Sequence, residues 1–236
     1  MLARPMQNHC MIKFYRRIAN TKWFDFAAAL PLIALYIFAI WGMGSNAVSD
    51  IRGISNQFDE LHLLSAMSTF ATMLFLAAQI VLFFVRILPL ERAAGFLPRA
   101  AAIIGANLQV AFVLLPRADH GVTVRIASLL LVIVGTAGSI YVVSCLGKSF
   151  SILPQARSLR FSGPYRVIRH PLYLAEQIAT LGCMFQFVAP WSVIFAAASF
   201  AAQFPRMHFE EAVLKTTFPA YRDYARHTAR LIPGIY

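Results

Sequence analysis

Long apolar runs alternate along the chain with short segments in which the polar residues collect. Six runs are candidate membrane-crossing helices: 24–43, 61–88, 100–115, 122–146, 171–188 and 191–204. A helix needs about 20 mostly apolar residues to cross the hydrocarbon core. The first run is closed by Gly42 and Gly44, the second is long enough to tilt, and the third is short and stops at Pro116. Only Ala189-Pro190 separates the last two, which predicts a tight helical hairpin. The first run starts late, is too long for the apolar stretch of a signal peptide and lacks a small-residue cleavage site, so no cleaved leader is expected. The pattern therefore predicts an all-α fold, a polytopic membrane helical bundle of about six transmembrane helices.

Composition sharpens this. Of 236 residues, 59% are hydrophobic and 13% charged, where soluble chains average about 25% charged. Disordered, collagen-like and ordinary nucleic-acid-binding domains are excluded. The net charge of +11 would suggest nucleic acid on a soluble protein. On a membrane protein it places basic loops against anionic lipid, and no nucleic-acid partner is expected. The six runs put 18 of the 21 Lys and Arg on one side, leaving Arg52, Arg117 and Arg125 on the other. By the positive-inside rule, the chain is a multi-pass integral membrane protein with both termini cytoplasmic. Cys10, Cys145 and Cys183 are too scattered for a disulfide framework or a metal site, and the histidines show no ligand spacing.

The chemistry-capable side chains concentrate late. Residues 1–146 read as N-terminal transmembrane helices, of which 1–116 show little unusual polarity, and 147–236 as the region that carries the chemistry. In loop 147–173, three prolines and two glycines rule out one continuous helix, and Ser162-Gly163-Pro164 signals a turn. His170 precedes Pro171; the residue before proline avoids the helical region and proline favours a helix's first position. A helix should therefore start at Pro171, with Tyr173 and Glu176 on one face. Glu176 falls inside an apolar run, where an ionisable group is costly unless it faces a protein interior or cavity. Beyond the sixth run, Arg206 and Glu210 share a helix face at i, i+4. The hairpin brings Arg206, Glu210 and Glu211 level with Arg169, His170 and Tyr173.

These residues carry a resemblance. Gly163-Pro164-Tyr165-Arg166, Arg169-His170-Pro171-Leu172-Tyr173, the apolar hairpin and Glu210-Glu211 resemble the isoprenylcysteine carboxyl methyltransferase family, within a wider group that includes phospholipid methyltransferases. The tail Phe218-Pro219-Ala220-Tyr221-Arg222-Asp223-Tyr224 and Pro233-Gly234 is similar too. The resemblance covers about 147–236. It implies S-adenosylmethionine as cofactor, held by Tyr165, Arg169, His170, Pro171, Leu172, Tyr173, Glu210 and Glu211. It also implies that Arg206 positions the acceptor; the spacing of Cys and His, not the resemblance, gives the expectation of no metal. The segment 157–160 stands where a further cofactor contact is expected, with different residues. A second departure is Ala175 followed by Glu176, where the family often has glycine after the Tyr motif; Glu176 is a second catalytic candidate.

The chemistry suits these residue types. Tyrosine faces attract a sulfonium, a glutamate can pair with an ammonium or ribose hydroxyls, and arginine can hold a carboxylate through two parallel bonds. The acceptor is expected to be a lipophilic small molecule or lipidated substrate entering from the membrane lipid. A prenylated cysteine carboxylate, a phospholipid amine and a thiol all remain open. An ionised carboxylate needs no base; an amine or thiol would use Glu176, Glu210 or His170. Two other readings stand beside this one. A membrane reductase of the sterol or steroid type would bind NADPH through Arg157, Arg160, Arg166 and Arg169, against which Glu210-Glu211 would face phosphates. A transporter or non-catalytic scaffold would be expected to show repeated halves and midplane charges, and neither is visible. Nothing in the sequence sets an oligomeric state.

Overall fold

The computed structural model describes residues 21–56 and 60–234, and among these the protein is helical with one two-stranded ribbon. The N-terminal bases Arg4, Lys13, Arg16 and Arg17, together with Cys10, lie outside the described residues. Helix α1, Lys22–Ala27, is capped by the Thr21 hydroxyl, which accepts from the Phe24 amide at 3.3 Å. Helix α2 follows as Leu30–Asn56. The single run expected over 24–43 is therefore two helices. Pro31 has no N–H to donate back to Ala27, so the chain breaks before it and restarts. Gly42 and Gly44, expected to close the run, sit within α2 instead.

Helix α3 is Glu60–Val85, and β1, Glu91–Arg92, pairs antiparallel with β2, Gln155–Ala156. Helix α4, Phe96–Asn107, tightens into a 3-10 turn at Leu108–Leu114 before Pro116. Helix α5 spans Val122–Leu146, with the boundaries that the apolar pattern predicts. Helix α6 is Pro171–Met184, α7 is Trp191–Thr217 and α8 is Ala220–His227.

Two helices, Leu61–Val85 and Val122–Ser149, are long and apolar enough to cross a membrane, and Leu30–Gly44 is a shorter apolar helix. Helix α6 has 14 residues, about 21 Å of rise, against about 30 Å of hydrocarbon. It stops short of the expected 188 because the chain leaves the helix to pair with the α4–α5 connection. Ala118 donates to the Gln186 carbonyl at 3.0 Å and Val188 to the Pro116 carbonyl at 3.2 Å.

The packing is closest between α5 and α6. A Cβ on Gly135 would stand 2.3 Å from the Ala179 nitrogen, and one on Gly182 would stand 2.7 Å from the Ser128 carbonyl oxygen. Glycine at these two positions lets the backbones touch, as small residues do between membrane helices. Ser128 Oγ then donates to the Gly182 carbonyl at 2.8 Å. Helix α3 packs against α5 and α2 against α3, while α4 lies along α7.

The N-terminal helices are pinned by charge rather than by apolar packing alone. Asp25 in α1 receives Arg157 at 3.0 Å, Arg86 at 2.8 Å and Arg92 at 3.3 Å. Arg157 also bonds the Ile87 carbonyl and, at 2.7 Å, Gln155 Oε1. Three cations and one carboxylate thus meet almost out of water where α1, the end of α3 and the β-ribbon converge. The expectation of little unusual polarity before residue 116 fails at this cluster.

Candidate active site

A cavity of about 790 Å³ runs inside the bundle along the whole of α6. His170, Tyr173, Glu176 and Cys183 succeed one another on its wall at helical spacing, and Phe187 closes the far end. Most of the wall is apolar; the ionisable groups gather mainly at the N-terminal end of α6, with Arg117 near Phe187 at the other. The residues expected at the site meet there.

The local fold explains why. His170 caps α6 with an extended φ of −124° and Pro171 takes the first helical position, as the His-Pro pair predicts. The approach to this cap is held by the C-terminal tail. The Arg169 and His170 amides donate to the Ala229 and Arg230 carbonyls at 2.9 and 3.1 Å. Arg169 Nη1 reaches the Ala225 carbonyl at 2.7 Å. The Tyr224 hydroxyl donates to the Tyr165 carbonyl at 2.6 Å. The 3-10 turn Gly163–Arg166 uses Gly163 at φ +61°, which places Tyr165 over the cavity.

His170 and Tyr173 stack with ring centroids 5.1 Å apart and planes 8° from parallel. The Tyr173 hydroxyl donates to Glu210 Oε2 at 2.5 Å, and that carboxylate stands 3.9 Å from His170 Nδ1. Glu210 is half-exposed at the cavity edge, whereas Glu211 is buried behind it. Glu211 gathers Arg169 Nε at 3.0 Å, Arg230 Nε at 3.1 Å and His170 Nε2 at 3.1 Å, with Lys215 at 3.3 Å. Burial works against its ionised form. The His170 hydrogen bond and the charges of His170, Arg169 and Arg230 outweigh that and hold its carboxyl well below the ordinary carboxylate range.

A group with a depressed folded pKa contributes stability that is present above its unfolded value and is lost as pH falls. Detergent melting temperature should therefore begin to drop below about pH 4.5, the ordinary value for Glu211. Glu211→Gln should flatten that acid limb while lowering stability at neutral pH. An unchanged acid limb in the variant would remove Glu211 from the linkage.

Deeper in, the Arg206 guanidinium lies over the Tyr173 ring, 4.3 Å from its centroid. Its Nη1 donates to Gln203 Oε1 at 2.8 Å and to Glu176 Oε2 at 3.3 Å, while Nε has no hydrogen-bond partner. Gly105 of α4 makes room for it, since a Cβ there would stand 2.4 Å from Arg206 Cδ. Arg206 and Glu210 do share the cavity wall, as their spacing predicts, but among the described residues the ion pair is to Glu176 and not to Glu210.

Of the expected site residues, Tyr165, Arg169, His170, Leu172, Tyr173, Glu176, Arg206 and Glu210 line the cavity. Pro171 and Glu211 do not; Pro171 starts the helix and Glu211 ties its cap to the tail. Arg157 and Arg160 also line the cavity, although Arg157 is spent largely on Asp25. Sequence reasoning missed Tyr36, Gln79 and Thr136, whose side chains open onto the same space from α2, α3 and α5. The signal available for Gln79 was an amide inside an apolar run.

The helices thus enclose a cavity whose wall is largely apolar and whose ionisable residues gather mainly around the start of α6. Residues 123–220 match the family model of phospholipid methyltransferase. The cobalt-zinc-cadmium resistance protein CzcN of Cupriavidus metallidurans is similar, 36% identical over 77 residues, which is 31% of this chain and 35% of that protein. The nickel-cobalt-cadmium resistance protein NccN of Alcaligenes xylosoxydans xylosoxydans is 35% identical over 77 residues, with the same coverage. The match thus spans about a third of the length of these relatives.

Proposed function

We propose that the protein is a multi-pass membrane methyltransferase that uses S-adenosylmethionine and acts on a lipophilic acceptor. The observation that carries this reading is the stacked His170–Tyr173 pair with Glu210, at the charged end of a cavity that otherwise runs through apolar helices, within the segment that matches the family. The residues suit the cofactor's chemistry. Electron-rich ring faces favour a sulfonium, and Glu210, held by the Tyr173 hydroxyl, offers an acceptor for an ammonium or ribose hydroxyls. A volume of about 790 Å³ is ample for a small ligand. Tyr165, Arg169, His170, Leu172, Tyr173 and Glu210 would hold the cofactor, which when bound supplies an electrophilic methyl group. Glu211 keeps Arg169 and His170 in place from behind.

Arg206 would fix an anionic group of the acceptor, and a prenylated cysteine carboxylate is the particular acceptor this reading favours. Its guanidinium stays protonated, so it positions and does not take protons. Glu176 sets the charge balance beside it. With cofactor and acceptor in place beneath Tyr165, the residues would act by positioning and desolvation.

Calorimetry on detergent-purified protein tests the cofactor. Wild type should bind adenosylmethionine, and Tyr173→Ala, His170→Ala and Glu210→Ala should each weaken it by about tenfold or more while remaining folded, as loss of one hydrogen bond to a charged group implies. Unchanged affinity in all three would overturn the assignment.

The orientation is part of the same proposal: six spans with both ends cytoplasmic, so that the charged end of the cavity faces the cytoplasm. A cysteine placed at Asp119, exposed in the α4–α5 connection, should react with an impermeant thiol reagent from outside. Labelling only after the membrane is breached would contradict it.

A further inference from the structure

Three polar side chains on the cavity wall have no part in the arrangement described above. Tyr36 of α2, Gln79 of α3 and Thr136 of α5 are 4%, 6% and 4% exposed. All three line the cavity. Among the described residues none of them makes a hydrogen bond to protein. Their polar atoms are not sealed inside the protein but face the cavity, so whatever fills it has to satisfy them, because polar groups away from water are nearly always hydrogen-bonded. Three such groups from three helices, open to one space, point to something that fills it.

Their placement is close to the reacting end. Gln79 and Phe83 are one turn apart on α3, and the Phe83 ring stacks on Tyr36 with centroids 6.3 Å apart. Tyr36, Glu176 and Arg206 line the same cavity. Thr136 follows Gly135, whose backbone touches Ala175 and Ala179, one on each side of Glu176 along α6. Apolar side chains surround the three, including Leu35, Phe75 and Leu76.

The chemistry of the set is specific. All three are neutral. The two hydroxyls can donate to a carbonyl oxygen, and the Gln79 carbonyl accepts from an N–H or O–H. An ester supplies the first and lacks the second; an amide supplies both. We propose that Tyr36, Gln79 and Thr136 form a recognition subsite for an amide linkage carried by the acceptor between its reacting group and its apolar tail. This rests on the reading of the cavity as the site of a lipophilic acceptor and adds the class of acceptor. It also gives the N-terminal helices, which lie outside the family-matched segment, a role in specificity.

Two probes that differ only at the linkage test this on the full chain in detergent: N-dodecanoylglycine, whose carboxylate and tail are joined through an amide, and dodecanoyloxyacetic acid, which keeps both but has an ester oxygen in place of the N–H. Equilibrium binding is read alongside melting temperature and affinity for S-adenosylhomocysteine. Wild type should hold the amide probe about tenfold tighter or more, because a site built to bond a polar group rejects the analogue that lacks it. Gln79→Leu and Tyr36→Phe should each narrow the gap to about threefold or less by weakening only the amide probe. Melting temperature should be unchanged or higher, and adenosylhomocysteine affinity unchanged. Equal binding of the probes by wild type, binding of neither, or a gap that survives in both variants would overturn the subsite. A wild-type gap without any adenosylhomocysteine binding would instead overturn the methyltransferase reading and leave the subsite standing.

Discussion

Arg206→Ala should cut turnover of a carboxylate-bearing acceptor by about ten- to a hundredfold while cofactor affinity stays within about twofold of wild type. The figure is the loss of one charge-assisted contact, about 1.5–3 kcal/mol, at about 1.4 kcal/mol per decade of rate. Two features of the structure are the grounds for expecting this of Arg206 rather than Arg169. Arg169 is spent on Glu211 and the Ala225 carbonyl. Arg206 is stacked on Tyr173 and committed through Nη1 alone, and its Nε is left without a partner. The substitution also strips Glu176 of its countercharge, and an uncompensated buried carboxylate is itself destabilising. The double variant Arg206→Met, Glu176→Gln keeps the wall neutral and separates the two effects. It should fold as wild type and still lose turnover. Arg206→Lys should recover only part of the rate, since an ammonium lacks the two-pronged geometry. Turnover that survives in the double variant, or cofactor affinity that falls in step with turnover, would show that Arg206 does not hold the acceptor.

Asp25→Asn should be the most destabilising single change in the N-terminal half, by about 3–5 kcal/mol, the usual range when one partner of a buried charge cluster is removed. Asp25 and Arg157 are 132 positions apart and all but out of water, with side chains 7% and 0% exposed. Arg86 and Arg92 converge on the same carboxylate. Neutralising it leaves three guanidinium groups facing one another. Because the cluster joins α1 to the loop ahead of the candidate site, the loss should appear in denaturant melts of the whole chain and as loosened proteolytic protection of loop 150–160. A variant within about 0.5 kcal/mol of wild type, the ordinary range of surface substitutions, would mean that the cluster does not hold the two regions together.

Much of the site could be read from the chain because its signals are local. Pro171 starts α6 since proline suits the first helical position, and His170 falls at the cap for the same reason. Arg206 and Glu210 share a face because helical spacing requires it, and the hairpin turns them toward His170 and Tyr173. What the pattern missed is non-local or turns on single backbone groups. Asp25 is one acidic residue at the edge of an apolar run, and its three arginines come from distant segments. Glu211 sits beside Glu210 and differs only in the direction that the helix gives it, so the two were read as equivalent. One faces the cavity and the other locks the tail. Helix α1 ends because of one missing N–H at Pro31, and α6 ends early because residues 186–188 find partners at 116–118. Apolar periodicity registers neither event. Gln79 was visible as an amide in an apolar run, but its meaning depends on the cavity that α2, α5 and α6 build around it.

The central claim is methyl transfer at the His170–Tyr173–Glu210 end of the cavity, and the direct measurement is transfer of label. Membranes containing the full-length protein are incubated with methyl-tritiated S-adenosylmethionine, together with total lipid extract and N-acetyl-S-farnesylcysteine, and the organic phase is counted and its products identified. The account predicts label in an organic-soluble product with wild type and a loss of about tenfold or more with Tyr173→Ala, in step with its weakened cofactor binding. Label confined to the aqueous phase with wild type, or equal transfer by Tyr173→Ala, would contradict it.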